Sequence, residues 1–170
     1  MKILQLIKSR RSIRKFRKEP IPLKVIDGIL EAGSWAPSGL NNQPWRFIVL
    51  EKDEKDAIAQ FTKYGQIIKA ADKVILVFMD KSASYSYEKD LMAIGACIQN
   101  MLLYAHQEGI GTCWLGEILN QRKGLQEHLG VLENLELEAV IALGKPLQPP
   151  KGGKRKALRS LIVIRSKTKN

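Results

Sequence analysis

The run Val74-Ile75-Leu76-Val77-Phe78-Met79, closed by Asp80, sets the architecture. Six apolar residues in a row, half of them β-branched, are too few for a buried helix and show no alternation. They predict a central strand covered on both faces. The flanking sequence supplies the helices that such a strand needs. Downstream, residues 88–108 predict the longest helix, apolar around most of its circumference through Leu91, Met92, Ile94, Ile98, Met101, Leu102 and Leu103. A helix of that kind must be covered on nearly all sides, and in so small a chain a partner subunit is one source of cover. Beyond it come a short strand at 112–115 and a helix at 121–129. A strand at 135–143 follows, with Leu135, Leu137, Ala139, Ile141 and Leu143 alternating with other residues; a loop at 145–159 and a last strand at 161–164 complete the chain. Upstream lie a strand at 45–50 and a charged surface helix at 52–60. Before these, a helix opens at Pro22, runs through Val25, Ile26, Ile29 and Leu30, and stops at Gly33 and Pro37-Ser38-Gly39. Ile3, Leu4, Leu6 and Ile7 give a short first helix. There is no internal repeat, and the expectation is one domain over 1–170, α/β or α+β, with a single sheet between helices.

Charge is distributed unevenly over this frame. The chain has 28 Lys and Arg against 17 Asp and Glu, a formal net charge of +11. Residues 1–18 hold eight basic residues and no acid, and residues 145–170 hold nine and no acid. The middle, 19–144, carries the other 11 basic residues and all 17 acidic ones, a net of −6. A hydrophobic fraction of 45% excludes a disordered polyelectrolyte, so the protein reads as a mildly acidic globule with two basic ends.

Several classes fall away. The first ten residues lack the apolar core and small-residue cleavage site of a signal peptide. The longest uncharged stretch, 91–107, is 17 residues and includes Gln99, Asn100 and His106. A membrane span needs about 20 predominantly apolar residues, so no membrane partner is expected. Cys97 and Cys113 without a secretory signal fit reduced thiols in a cytoplasmic protein. Gly109, Gly111 and Gly116 follow a helix with the wrong spacing for a dinucleotide fingerprint, and there is no phosphate-binding Gly-Lys-Ser/Thr loop. His106 and His128 are isolated, so no metal site is expected. Ser38 is in no Gly-x-Ser-x-Gly elbow.

Four segments remain. In Arg10-Arg-Ser-Ile-Arg-Lys-Phe16, three rigid guanidinium forks and the Ser12 hydroxyl match phosphate oxygens, and an extended chain there sends Ser12 and Arg14 to one side. A solvated basic helix end explains the composition equally well. Ala36-Pro-Ser-Gly-Leu-Asn-Asn-Gln-Pro-Trp45 offers amides to a planar ring and, at Gly39, close backbone approach; it also reads as an elaborate turn. Gly109-Ile-Gly-Thr-Cys-Trp-Leu-Gly-Glu117 can turn the backbone of Leu115 and Gly116 to a ligand, or be a strand with a tight turn. Lys151-Gly-Gly-Lys-Arg-Lys156 can close on an anion, or be a solvated loop.

Taken together and in this order, the four segments and the helix between them resemble the nitroreductase family of FMN-dependent NAD(P)H oxidoreductases over nearly the whole chain. The resemblance implies an α+β fold with a central, mainly antiparallel sheet flanked by helices. It also implies an intertwined homodimer binding FMN at the subunit interface. By it, Arg10, Arg11, Ser12 and Arg14 contact the FMN phosphate and ring, joined at the phosphate by Lys154 or Arg155. Pro37, Ser38 and Gly39 reach the partner's flavin, Asn41 lies near it, and the backbone of Leu115 and Gly116 lies by the flavin N5 edge. No side chain is then catalytic, because the flavin carries the hydride from NADH or NADPH to a small electron-poor acceptor, a nitroaromatic or quinone, in a ping-pong cycle.

Two departures narrow this expectation. The connections 52–73 and 81–89 are brief where members often carry a lid, which implies an open acceptor pocket. Lys156-Ala-Leu-Arg-Ser160 replaces the commoner Pro-Leu-Glu-Glu, so the choice between Lys154 and Arg155 stays open. Tyr85, Tyr87, Glu88 and Lys89 either line the pocket mouth or form a solvated helix start. The competing classes are a polyanion-binding module, motivated by the basic ends, and a flavin-binding protein without turnover. The leading reading expects no nucleic-acid partner.

Overall fold

The computed structural model describes residues 2–149 and 152–164. Lys151, Lys167 and Lys169 of the basic ends lie outside the described residues. The apolar run forms strand β2 (Lys73–Asp80), buried at every position. It sits between β1 (Trp45–Glu51) and β4 (Leu135–Gly144), and β3 (Gly111–Leu115) borders β4. The order is β1-β2-β4-β3, with every neighbouring pair antiparallel.

Period-two geometry divides β2 between two cores. Ile75 and Val77 face α2 (Leu23–Ser34) and α5 (Tyr87–Gln107), packing with Ile26, Ile29, Ile94, Ile98 and Met101. Val74, Leu76 and Phe78 face the other way, toward Ile58 of α3 (Lys52–Ile58), Ile68 of α4 (Gly65–Ala70) and Leu125 of α6 (Arg122–Leu129). The sheet is thus a single layer with helices on both sides. At the N-terminus, α1 (Ile3–Ser9) buries only Leu6.

Four readings of the sequence need correction. The charged helix expected at 52–60 ends at Ile58 and continues as a 3-10 turn at Ala59–Phe61. The brief connection behind it, to which the sequence reading assigns no element, contains α4. The even alternation of 135–143 is broken by a bulge: Val77 pairs with Ala139 but Phe78 pairs with Leu137, leaving Glu138 as the extra residue. Leu137 therefore joins the second core while Ala139 joins the first, although two residues apart they would share a face in an unbroken strand. Finally, 161–164 is not a strand. Leu158–Leu161 forms a 3-10 turn, and Val163 and Ile164 stand 96% and 87% exposed, because β-propensity is realised only against a neighbouring strand and this segment has none among the described residues.

Candidate functional site

The first basic segment is extended, as its alternation requires. After α1 the backbone of Arg10 adopts φ −56°, ψ 134°, and the chain then runs across the ends of β3 and β4. Ser12 bridges Thr112 in parallel, with Ile13 N–H donating to the Thr112 carbonyl at 2.8 Å. Arg17 N–H donates to Lys145 O at 2.8 Å, and Leu147 N–H to Lys15 O at 3.0 Å. Two glycines that face each other across β3 and β4, Gly111 and Gly144, make room for it. A Cβ on Gly111 would lie 2.9 Å from Ile13, and one on Gly144 would lie 2.7 Å from the Phe16 ring.

This path brings both basic ends of the chain to one cleft of about 470 Å³. Arg10, Arg11, Ser12, Arg14 and Arg155 line it, with Gln148 and Pro149 on its wall. Among the described residues no carboxylate lines it. Burial, and then the neighbouring charges of Arg11 and Arg155, hold Arg10 below the usual guanidinium range. The Nε of Arg11 is buried with no partner in the described structure, a donor left open inside a positive cluster. Gly153 lies over the same side chain, where a Cβ would stand 3.0 Å from Arg11 Nε. Like charges crowded together around an open donor suit a phosphate, whose oxygens accept several charge-assisted bonds at once. The residues present therefore fit the phosphomonoester of FMN. Lys154 is exposed and does not line the cleft; its carbonyl accepts from Arg155 Nη1 at 3.0 Å. Of the two candidate residues, Arg155 is the one on the wall.

Arg14 also belongs to a smaller hollow of about 160 Å³ with Tyr64, Ile67, Cys113, Trp114, Leu115 and Gly116. Sharing Arg14 joins the cleft to the Leu115-Gly116 backbone. Trp114 is 44% exposed and Tyr64 equally so, giving this hollow aromatic surface. Glu117, just beyond, accepts from Thr62 Oγ1 at 2.6 Å and from Lys63 N–H, and so ties the hollow to the turn before α4. Tyr64 and Ile67 carried no signal in the sequence, because α4 itself was not read. Burial raises the pKa of Cys113, with Arg14 acting against it, so its thiol is a packed neutral group.

The segment holding Pro37, Ser38, Gly39 and Asn41 lines neither hollow. It is a left-handed loop: Leu40, Asn41 and Gln43 have φ of 54°, 55° and 47°. Such values in residues with a Cβ cost about 1 kcal/mol or more each and persist only where neighbours enforce them. Here Gln43 N–H donates to Ser38 Oγ at 3.0 Å, and Asn42 Nδ2 donates to Asp90 Oδ1 at 2.8 Å and to Ala83 O at 3.0 Å. Leu40 projects 85% exposed at the tip. Tyr87, Glu88 and Lys89 open α5 and are exposed, the solvated helix start of the two readings, while Tyr85 just before it packs against Gly39 with Lys89 Nζ 5.3 Å from its ring centroid. Among the described residues no helix is long and apolar enough to cross a membrane, and no group of three or more His, Cys, Asp or Glu could hold a metal.

Comparison with known proteins agrees with this geometry. The model of the Nitroreductase family matches residues 7–76 and 59–145. A protein of Archaeoglobus fulgidus, provisionally named an NADH dehydrogenase/NAD(P)H nitroreductase, is 38% identical over 148 residues, 84% of each chain. The iodotyrosine deiodinase of Thermotoga neapolitana is 29% identical, covering 99% of this chain and all of that one. A provisionally named nitroreductase of Desulfovibrio desulfuricans, solved in complex with FMN, is 43% identical and superposes with a TM-score of 0.93 over 99% of both chains. With a matching family model over most of its length and relatives of this similarity, the chain belongs to the nitroreductase family.

Proposed function

We propose that this chain is a cytoplasmic, FMN-dependent oxidoreductase that passes reducing equivalents from NADH or NADPH to small electron-poor acceptors such as nitroaromatics and quinones. The observation that carries the proposal is the acid-free cleft of Arg10, Arg11, Ser12, Arg14 and Arg155 with its open Arg11 Nε, joined through Arg14 to the Leu115-Gly116 hollow. The FMN complex of the Desulfovibrio desulfuricans protein supports the choice of cofactor.

The residues divide the work. Arg10, Arg11, Ser12, Arg14 and Arg155 hold the phosphate, each charge-assisted bond contributing about 1.5–3 kcal/mol. Trp114 and Tyr64 offer flat apolar surface for a ring system, and the backbone at Leu115 and Gly116 offers it polar groups. When bound, FMN supplies the redox chemistry by accepting a hydride from the nicotinamide and releasing it to the acceptor, so that donor and acceptor use one place in turn in a ping-pong order. Arg14 and the nearby backbone N–H groups favour added negative charge at that place.

The working unit is a homodimer of one FMN-binding domain spanning 1–170, in which Pro37, Ser38, Gly39 and Asn41 face the partner's flavin. Two uncovered surfaces support it. One strip of α5 leaves Met92 70% exposed and Ala96 and Leu103 only half-buried. The 158–164 arm carries Leu158, Leu161, Val163 and Ile164 on its surface. Ala96 touches the first core, but among the described residues Met92, Leu103 and these four residues of the arm join neither core.

The test is anaerobic titration of the FMN-loaded protein with NADH and with NADPH, followed by addition of nitro compounds, quinones and a halogenated phenol. Loss of flavin absorbance that returns only with particular acceptors is the expected result. A protein that stays colourless after incubation with FMN sinks the proposal, and bound flavin that neither nicotinamide reduces leaves a binding protein without turnover.

A further inference from the structure

The strained loop and the turn before α5 meet at one buried carboxylate. Asp90 is fully buried in the first turns of α5. Its Oδ2 accepts from Ser84 Oγ at 2.7 Å, from Tyr85 N–H at 3.1 Å and from Ser86 N–H at 3.2 Å, which closes the turn 84–86. Its Oδ1 accepts at 2.8 Å from the Nδ2 of Asn42, whose own φ of −71° is ordinary but which stands between left-handed Asn41 and Gln43. Burial acts to raise the pKa of Asp90, but the hydroxyl, amide and backbone donors more than offset it and hold the group below the usual carboxylate range. It is therefore a fixed charge with its donors in place.

The same two segments meet again above Asp90. A Cβ on Gly39 would stand 2.0 Å from Tyr85 Oη, so the phenol occupies the space that glycine leaves. Asn42 also donates to the carbonyl of Ala83, on the turn side. The loop 38–43 and the turn 83–86 thus share one carboxylate, one amide and one aromatic contact. A loop with three residues at positive φ relaxes unless its surroundings determine it. Two charged groups bond this one: Arg46 Nη1 donates to Gln43 O at 3.1 Å from the exposed side, and Asp90 accepts from Asn42 on the buried side.

We propose that Asp90 is a positioning residue for the flavin-facing loop: by holding Asn42 its carboxylate keeps the flanking Leu40, Asn41 and Gln43 left-handed and so fixes how Pro37, Ser38, Gly39 and Asn41 meet the partner's flavin. This rests on the homodimeric FMN reading above. Asp90 touches neither cofactor nor substrate; it acts through Asn42. By binding the turn that carries Tyr85 to the same carboxylate, it makes both segments a single body beside the acceptor site.

The test uses the FMN-loaded protein with Asn42→Ala, Asp90→Asn and the double variant. Asn42→Ala cuts the tie while leaving Asp90 its three bonds to the 84–86 turn, so it stays informative if Asp90→Asn fails to fold. The readouts are the FMN dissociation constant, the visible circular dichroism of the bound flavin, and amide exchange at 40–43 with β2 as internal reference. Each single variant is expected to weaken FMN about tenfold, the effect of one hydrogen bond to a charged group. Each should also alter the flavin dichroism and speed exchange at 40–43 without changing β2. The double variant should be no worse than the weaker single one, as for residues acting as one unit. Exchange at 40–43 unchanged in Asn42→Ala overturns the proposal, as does faster exchange with unaltered FMN affinity and dichroism. Losses that multiply in the double variant overturn it too. Wild-type protein that takes up no FMN overturns the cofactor reading instead, and the exchange comparison alone then decides whether Asp90 holds the loop.

Discussion

Arginine is used in two opposite ways at the two ends of β4. Past its last residue, Gly144, the cleft gathers Arg10, Arg11, Arg14 and Arg155 with no acid among them and leaves Arg11 Nε open. Near its start, Arg122 reaches two carboxylates at once: it bonds Glu136, and its Nη2 lies 3.2 Å from Glu138 Oε2. Glu136 also accepts from Tyr87 Oη at 3.1 Å. The first group repels itself and awaits an anion; the second is an ion-paired strut between α6 and the sheet, so that although Arg122 Nε and Glu138 Oε1 are also buried without partners, opposite charge already stands beside them. The number of arginines says little about a site, whereas the sign of what surrounds them says a great deal.

Substitutions should separate the two ends cleanly. Arg11→Glu puts a carboxylate into the cleft and is expected to weaken FMN by roughly 100-fold or more, equivalent to two lost charge-assisted bonds. Fluorescence titration reads this directly. The FMN-free protein should melt no lower than wild type, because crowding around Arg10 is relieved; a large loss of melting temperature would mean the cleft is a strut after all. Arg122→Ala should behave inversely. Leaving Glu138 buried beside Glu136 without a cation is expected to cost about 3 kcal/mol in denaturant unfolding while FMN affinity in the folded protein stays unchanged.

A third expectation concerns pH. Burial, only partly countered by Arg122 and reinforced by Glu136, pushes the Glu138 pKa up from 4.5 to about 7. A carboxyl group that binds its proton more tightly when folded contributes stability that is whole below pH 4.5 and is lost as pH rises through 7. Glu138→Gln removes that dependence. Relative to wild type, the variant should therefore gain about 3 kcal/mol between pH 4.5 and 8, read from unfolding curves across that range. A difference that is flat with pH would show that Arg122 keeps Glu138 ionised throughout. The smallest effect belongs to Gly153→Ala, whose methyl would meet Arg11 Nε and displace it by a few tenths of an ångström. FMN binding a few-fold weaker is expected, with no change in unfolding.

Sequence alone already carried most of the sheet and the basic cleft. The apolar run 74–79 and the helix at 88–108 are long, periodic signals that local context does not disturb. The Arg10 segment was legible because an extended chain has only two sides, and the structure puts Ser12 and Arg14 on the cleft. What escaped was information held in pairing. The bulge at Glu138 exists only in the register of β4 against β2, and nothing in Leu135-Glu-Leu-Glu-Ala-Val140 marks where an even alternation slips. The 161–164 strand failed for the converse reason: its composition suits a strand, but no strand lies beside it. Tyr64 was missed because α4 is only six residues long, below the length at which helical periodicity declares itself. Asp90 was overlooked because its partners Asn42 and Ser84 are ordinary polar residues until the loop's left-handed backbone turns them inward.

The segment laid across Gly111 and Gly144 also bears on the order in which the molecule assembles. Its partners, Thr112 and residues 145–147, lie roughly a hundred and more residues along the chain, so its closure carries a large loop entropy and high contact order. During synthesis the eight basic residues of 1–18 emerge well before the strands they cross. The cleft is thus completed at the end of folding, and an anion that binds it acts on that final step, stabilising the closed chain in proportion to its concentration. Supply of cofactor then governs how much of the protein matures as well as how fast it turns over.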